Sequence, residues 1–346
     1  MEVIVLGCKD YPAFKHARDV GGIEVFCNEV LPRLNSINFS VLTRRYKNAA
    51  KTEQSSNIDI YRLPFINLPL FKTHTFNLAA FFKALSMKAD IIWAHEPVAG
   101  FYAYWLSKIK GIPYILHIHS NGSKEPAGLI RRYGLKLMEF FAYRNAKEVI
   151  FVSSRISEEL KQPGITIPIG VNQARFKSSR QDASLASIPG KKLCFIGRLI
   201  KVKGIHYLLH AFSKLNQPAS LIIVGEGDEK EMLMHLAKDL NIDEKVFFLG
   251  YKPSSSIMPY IDVFILPSLS EGLPHTILEA IACKKPVVAS NVGDIKKLVT
   301  HYLVQPGNID ELAAMIKKAL EEKKLEKLPD EYILDNTLSS IKKIIN

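Results

Sequence analysis

The sequence predicts an α/β protein built from two Rossmann-like, doubly wound domains. Three observations lead there. Short runs rich in Val and Ile recur along the 346 residues and alternate with stretches of helical periodicity, the pattern of parallel sheets covered by helices. The chain is 47% hydrophobic and 23% charged, long enough and apolar enough for two domains, each with its own core. Between the two sets of strands lies a polar stretch of little periodicity, Asn172 to Gly190, with the composition of a connection. The expected organisation is a first domain over 1–172, a linker over 173–190, a second domain over 191–330 and a final helix over 331–346.

In the first domain the strands are Val3 to Gly7, Asp90 to Ala94, Tyr114 to His119 and Val149 to Ser153. After the first of them, Gly21-Gly22 opens the amphipathic run Val25 to Leu34. Paired glycines at a helix start let backbone approach a phosphate, although a bare Gly-Gly is more often a flexible turn. His117 and His119 fall on one face of a strand end by alternation. Structural or hydrogen-bonded roles are the ordinary reading of such a pair, and a metal would need a third ligand that the sequence does not place. Leu129 to Arg144 mixes basic and apolar residues at helical spacing, and Leu63 to Lys72 is an apolar loop broken by prolines.

In the second domain the strands are Leu193 to Gly197, Leu221 to Gly225, Val246 to Gly250, Val263 to Leu266 and Val287 to Ala289. The first runs into a basic loop carrying Arg198 and Lys203, then the helical Tyr207 to Phe212. An Arg fork and a Lys point charge suit a diphosphate, where they neutralise charge and stabilise its growth on departure; a solvated basic loop is the plainer alternative. Val263 to Leu266 leads into the turn Glu271-Gly272-Leu273-Pro274 and a helix over Thr276 to Cys283, entered just past the proline. Glu271 and Glu279 stand eight residues apart, slightly over two helical turns. Two carboxylates so spaced can accept hydrogen bonds from two sets of hydroxyls, or can be one helix-mouth acid and one solvated glutamate. Tyr332 to Ile345 is helical in pattern.

The stretch Glu271 to Pro286, with its paired glutamates, E-G-L-P turn and Lys285-Pro286-Val287-Val288 strand entry in register, resembles the signature of family 4 glycosyltransferases. The resemblance implies the GT-B fold, two domains facing each other across a cleft, and retaining transfer from a nucleotide diphosphate sugar, UDP- or GDP-linked. By that resemblance Glu271 holds sugar hydroxyls, Glu279 the ribose, and the amides near Gly272 and Leu273 face the sugar and phosphates. Arg198 and Lys203 match the family's diphosphate-binding cations about seventy residues upstream. Gly22 matches a glycine facing the donor diphosphate, and His119 a strand-end histidine that positions the sugar. Ile167 to Phe176 resembles the family's interdomain element, with Ile169 and Asn172 departing from it. Lys284 stands where the family usually has glycine, and Lys297 where an acidic residue is common. The family's final helix crosses back onto the first domain.

No D-x-D pair occurs, and neither a metal nor a cofactor beyond the sugar nucleotide is expected. Cys8, Cys27, Cys194 and Cys283 are scattered, the pattern of buried reduced thiols. The chain opens on a strand without a leader pattern and has no apolar run near 18 residues, so a cytoplasmic protein without a span is expected.

The formal charge of +12 is concentrated: residues 1–180 carry 25 Lys plus Arg against 14 Asp plus Glu, and the remainder 21 against 20. With the apolar loop and the basic helix, this points to an anionic membrane surface and a lipid-linked or membrane-presented glycan acceptor. Solvated cations over a packed helix are the alternative, with a soluble sugar or metabolite as acceptor. A nucleic-acid partner is not expected, for no zinc spacing, RNA-binding aromatic signature or repeated basic helix accompanies the charge. A non-transferring sugar-nucleotide enzyme of the epimerase type is the remaining rival.

Overall fold

A computed structural model describes all residues except 13–21, 47–48, 69–70 and 120–128, with the side chains of 129–132 also outside the description. The chain forms two compact units, Met1–Ile169 with Asp335–Asn346, and Gly170–Leu334.

In the first unit the strands are β1 (Glu2–Leu6), β2 (Asn38–Arg44), β3 (Thr52–Ser55), β4 (Ile58–Leu63), β5 (Ile91–His95), β6 (Tyr114–Ile118), β7 (Glu148–Phe151) and β8 (Ile165–Thr166). Its helices are α1 (Gly22–Val30), α2 (Lys72–Leu85), α3 (Glu96–Lys110), α4 (Leu129–Arg144) and α5 (Ser154–Leu160). The strands form one sheet in the order β3-β4-β2-β1-β5-β6-β7-β8, parallel except for the antiparallel edge pair β3 and β4. Its central strands are buried end to end, which is why β5 and β6 read as continuous apolar runs. β2 and β4 were not among the expected strands. β4 alternates buried and half-buried residues, and polar Asp59, Tyr61 and Arg62 obscure its period in the sequence.

The second unit contains α6 (Gln173–Ser178), β9 (Lys191–Ile196), α7 (Ile205–Ser213), β10 (Ala219–Val224), α8 (Lys230–Asp239), β11 (Val246–Gly250), α9 (Ser254–Ile257), β12 (Val263–Leu266), α10 (His275–Ala282), β13 (Val287–Ser290), β14 (Leu303–Val304) and α11 (Ile309–Glu322). Its sheet is parallel, ordered β11-β10-β9-β12-β13-β14. The core joins every strand to α7, α10 and α11.

The segment 173–190 is not a linker. It holds α6, capped by the Asn172 side chain, and a short turn over Ala183–Leu185 capped by Asp182. Phe176, Leu185 and Ile188 are buried in the second core. Three apolar residues among many polar ones gave too weak a period to show this in the sequence. The last helix, α12 (Leu334–Ile345), joins the first unit over residues 335–346: Thr337 donates to the Pro168 carbonyl at 2.9 Å and Lys147 Nζ to the Ile344 carbonyl at 3.1 Å. Among the described residues no helix is long and apolar enough to cross a membrane.

Candidate active site

In the second sheet the chain runs from β9 outward through β10 to β11, then returns to the other side of β9 as β12. A crevice beyond the carboxyl ends of β9 and β12 is therefore the place where an open α/β sheet binds its ligand. Two loops meet there. A turn over Lys201–Lys203 ends at Gly204, whose φ is +65°, and a Cβ at that position would lie 2.2 Å from the Pro267 carbonyl oxygen. Glycine is thus required for the β9 loop to touch the β12 loop. The contact is locked by the Leu269 amide donating to the Val202 carbonyl at 2.8 Å.

That contact delivers Lys203 to Glu271. Lys203 Nζ donates to Glu271 Oε1 at 2.5 Å, and Ser268 Oγ donates to the same oxygen at 2.6 Å. The two side chains keep only 17% and 10% of their surface exposed, so the charge-assisted bond is partly shielded from water. Arg198, just beyond Gly197, is exposed and makes no ion pair among the described residues. Glu279 lies in the middle of α10 and is buried. Its Oε1 accepts from Ser254 Oγ at 2.9 Å and stands 3.5 Å from His275 Nδ1. Gly272 is exposed and its carbonyl accepts from the Asp294 amide at 3.3 Å; Leu273 packs half-buried against the second core.

A neighbouring loop supports this corner. Gly225 has φ +139°, and a Cβ there would fall 1.8 Å from the Gly197 carbonyl; one at Gly227 would fall 2.3 Å from that of Leu199. The Leu199 amide donates to the Glu226 carbonyl at 2.9 Å. The Gly225-Glu226-Gly227 loop thus fixes the backbone around Arg198, a function missed in the sequence although two glycines closely following a strand are a signal for it.

The first sheet has its own polar cluster. β5 and β6 pair so that His95 lies opposite His117, and His95 Nδ1 stands 2.9 Å from His119 Nε2. Cys27 of α1 places Sγ 3.6 Å from His95 Nε2. Glu96, in the left-handed region at φ +70°, accepts from the His119 amide through Oε1 at 3.1 Å. Strain of this kind costs about 1–3 kcal/mol and gathers at functional positions. Burial, with the neighbouring histidines, holds the His117 and His119 imidazoles well below their usual pKa. Burial alone would raise the Cys27 thiol, but its hydrogen bond to Cys8 and the His95 ring outweigh this and bring it to about 6.

Residues 20–175 match the family described as Glycosyltransferase Family 4, and residues 179–333 that described as Glycosyl transferases group 1. The chain belongs to the family 4-like glycosyltransferases. An uncharacterized glycosyltransferase from Methanocaldococcus jannaschii is 28% identical over 94% of this chain and 90% of its own length. The fold is shared with sucrose-phosphate synthase from Thermosynechococcus elongatus, at TM-score 0.82 and 20% identity over 99% of this chain and 98% of that one. It is shared too with Anabaena Alr3699/HepE in complex with UDP-glucose, at TM-score 0.75 and 19% identity over 100% and 99%. The two parallel-sheet units are the Rossmann-like halves of a GT-B enzyme.

In this glycosyltransferase the structure brings together Lys203, Glu271 and, through the same loops, Gly272 and Leu273. Glu279 is engaged instead by α9 and α10 side chains, Ser254 and His275. His119 is joined by a histidine the sequence left unconsidered, His95. Spacing gave no hint, since His95 comes from another strand and only sheet pairing brings it there. Gly22 begins α1, exposed, and a Cβ there would meet nothing within 4 Å among the described residues; Gly21 lies outside them.

Proposed function

We propose that this glycosyltransferase moves a hexosyl unit from a UDP- or GDP-linked sugar, with retention of anomeric configuration and without a metal, to a lipid-linked or membrane-presented glycan on the cytoplasmic face of a membrane. The observation that carries the donor half is the Lys203–Glu271 pair at the switch point of the second sheet. A diphosphate entering there competes with Glu271 for the ammonium, freeing the carboxylate to accept sugar hydroxyls. Arg198, exposed beside it, adds a second cation as charge grows on the leaving group. Glu279 supplies the ribose acceptor, the amides near Gly272 and Leu273 together with Gly22 face the phosphates, and His119 positions the sugar. The departing phosphate assists in deprotonating the acceptor hydroxyl on the same face. A fold neighbour holding UDP-glucose supports a nucleotide sugar as donor. Proton NMR of fresh product tests this reading, which predicts the donor's anomer; the opposite anomer, or transfer that requires added magnesium or manganese, defeats it.

The acceptor half rests on the surface of the helices flanking the first sheet. α2 exposes Leu78 and Phe82, α3 Trp105 and Ile109, and α4 Tyr133, Leu137 and Phe140, each set at the i, i+4 or i+7 spacing of one helix face. Ring contacts run through this layer, from Phe81 to Tyr102 and from Phe101 and Trp105 to Phe141. Exposed Lys108, Lys136 and Arg144 accompany the apolar residues, the cations spread over Tyr104 and Phe140 in two of the three cases. Aromatic and basic side chains mixed on one face suit the anionic interface of a bilayer. Arg131 and Arg132, part of the expected basic helix, have side chains outside the described residues. Sedimentation with phosphatidylglycerol vesicles should fall with added salt and with Lys108→Glu, Lys136→Glu and Arg144→Glu combined. Efficient transfer to a soluble sugar, unaffected by vesicles, would favour the soluble acceptor instead.

A further inference from the structure

The histidines of the first sheet form more than a sugar contact. His95, His117 and His119 each offer one ring nitrogen such that all three lie within 4.8 Å of one another. His117 is fully buried, yet among the described residues neither of its ring nitrogens has a hydrogen-bond partner, and Nδ1 of His119 has none either. A neutral imidazole always carries one N–H and one lone pair, so leaving both buried and unpaired costs roughly 1–3 kcal/mol. Native interiors rarely tolerate this without a water or an ion. The walls are otherwise apolar and aromatic: Phe26 packs edge-on against both His117 and His119, and Trp93 stacks parallel to His117.

We propose that His95, His117 and His119 form a binding site for a divalent transition-metal ion of the zinc class. Three imidazoles suit zinc, cobalt or nickel rather than magnesium or calcium, which prefer oxygen ligands. Two nitrogens bound tetrahedrally at 2.0–2.1 Å from zinc stand roughly 3.3 Å apart. The 2.9 Å between His95 Nδ1 and His119 Nε2 therefore opens by only a few tenths of an ångström.

The protons balance without release. For both of these nitrogens to present lone pairs, the proton on the His95 ring sits at Nε2 and that on the His119 ring at Nδ1. Cys27 Sγ, 3.6 Å from His95 Nε2, is placed to receive that N–H, the outer-sphere partner that fixes the tautomer of a ligating histidine. Three protein ligands leave a fourth position for water, and an ion here also holds the His119 ring in place. The site lies wholly within the first unit and does not rest on the donor reading.

Cobalt(II) titration of the chelator-stripped full-length protein tests the assignment. One equivalent should bind with the visible absorption of a four-coordinate site, and zinc should displace it. His117→Phe should abolish the band, and Cys27→Ala should weaken binding about 10–100-fold by releasing His95. His301→Ala, exposed and remote in sequence, should change nothing. Should His117→Phe fold poorly, the wild-type protein still decides the matter, because saturating zinc must raise its melting temperature. No visible band with no thermal shift, or a band retained in folded His117→Phe, overturns the site.

Discussion

The two sheets each bring polar side chains to a strand end, but they satisfy them differently. In the second unit both carboxylates of the corner are matched within the chain: Lys203 and Ser268 serve Glu271, and Ser254 serves Glu279. In the first unit three imidazoles crowd together and three of their six ring nitrogens have no partner among the described residues. A site whose groups are already paired is held ready for a ligand that exchanges with one of the partners. A site of unpaired lone pairs in an aromatic shell is shaped for something that supplies what the chain does not.

The largest effect should come from breaking the paired corner. Lys203→Ala should lower turnover of the sugar nucleotide, followed as release of the nucleoside diphosphate, by about a hundredfold or more, since a lost preorganised contact to growing charge is worth roughly 3 kcal/mol. Turnover near wild type would remove Lys203 from the donor site.

The glycines of the two units sharpen the contrast. Gly204→Ala forces a side chain into the left-handed region and into the Pro267 carbonyl, and should destabilise the second unit by about 2–3 kcal/mol in urea unfolding. Gly22→Ala meets nothing within 4 Å among the described residues and should cost less than about 0.5 kcal/mol. If Gly22→Ala nevertheless lowers donor affinity, the glycine serves the ligand rather than the fold; unchanged affinity would take Gly22 out of the donor contacts.

A smaller effect tests the segment that was expected to be a linker. Asp182 accepts from the Ser184 amide at 3.0 Å and pairs with Lys252 at 3.0 Å. The Ser184 hydroxyl, against the opposing effect of burial, leads the contacts that hold its carboxyl below the usual value. Asp182→Ala should therefore cost about 1 kcal/mol at neutral pH. A depressed carboxyl contributes stability above its unfolded pKa and loses it as pH falls through the folded value, so wild type and variant should converge in acid below about pH 4. Equal stability at pH 7 would return 173–190 to the status of a connection.

A gain of stability rather than a loss is expected at Lys284, which follows α10 with φ +54° and whose amide donates to the Ile281 carbonyl at 2.9 Å. A helix end of this shape favours glycine. Lys284→Gly should stabilise the protein by about 0.5–1 kcal/mol in thermal unfolding, whereas an unchanged or lowered melting temperature would mean that the lysine side chain contributes something the backbone argument omits.

The corner between the β9 and β12 loops was legible because its parts lie in short, dense motifs: strand, E-G-L-P turn and helix are contiguous, and α10 starts one residue before the expected Thr276. The first unit was less legible. β2 buries polar Thr43 and Arg44 at its end and β4 alternates buried with half-buried, partly polar residues, so neither shows a clean apolar period, and α6 with its buried Phe176 lies in a stretch that reads as solvent.

By itself the sequence determined the alternation of strand and helix, the two cores, and which residue types stand at each strand end, since these depend on local period and turn chemistry. Only the tertiary structure decided which of those ends meet. Lys203 reaches Glu271 because β12 pairs with β9, and His95 joins His117 and His119 because β5 lies beside β6 in one register. Such pairings are long-range and parallel, fixed by burial of whole strands rather than by any neighbour in the chain, so no spacing in the sequence records them.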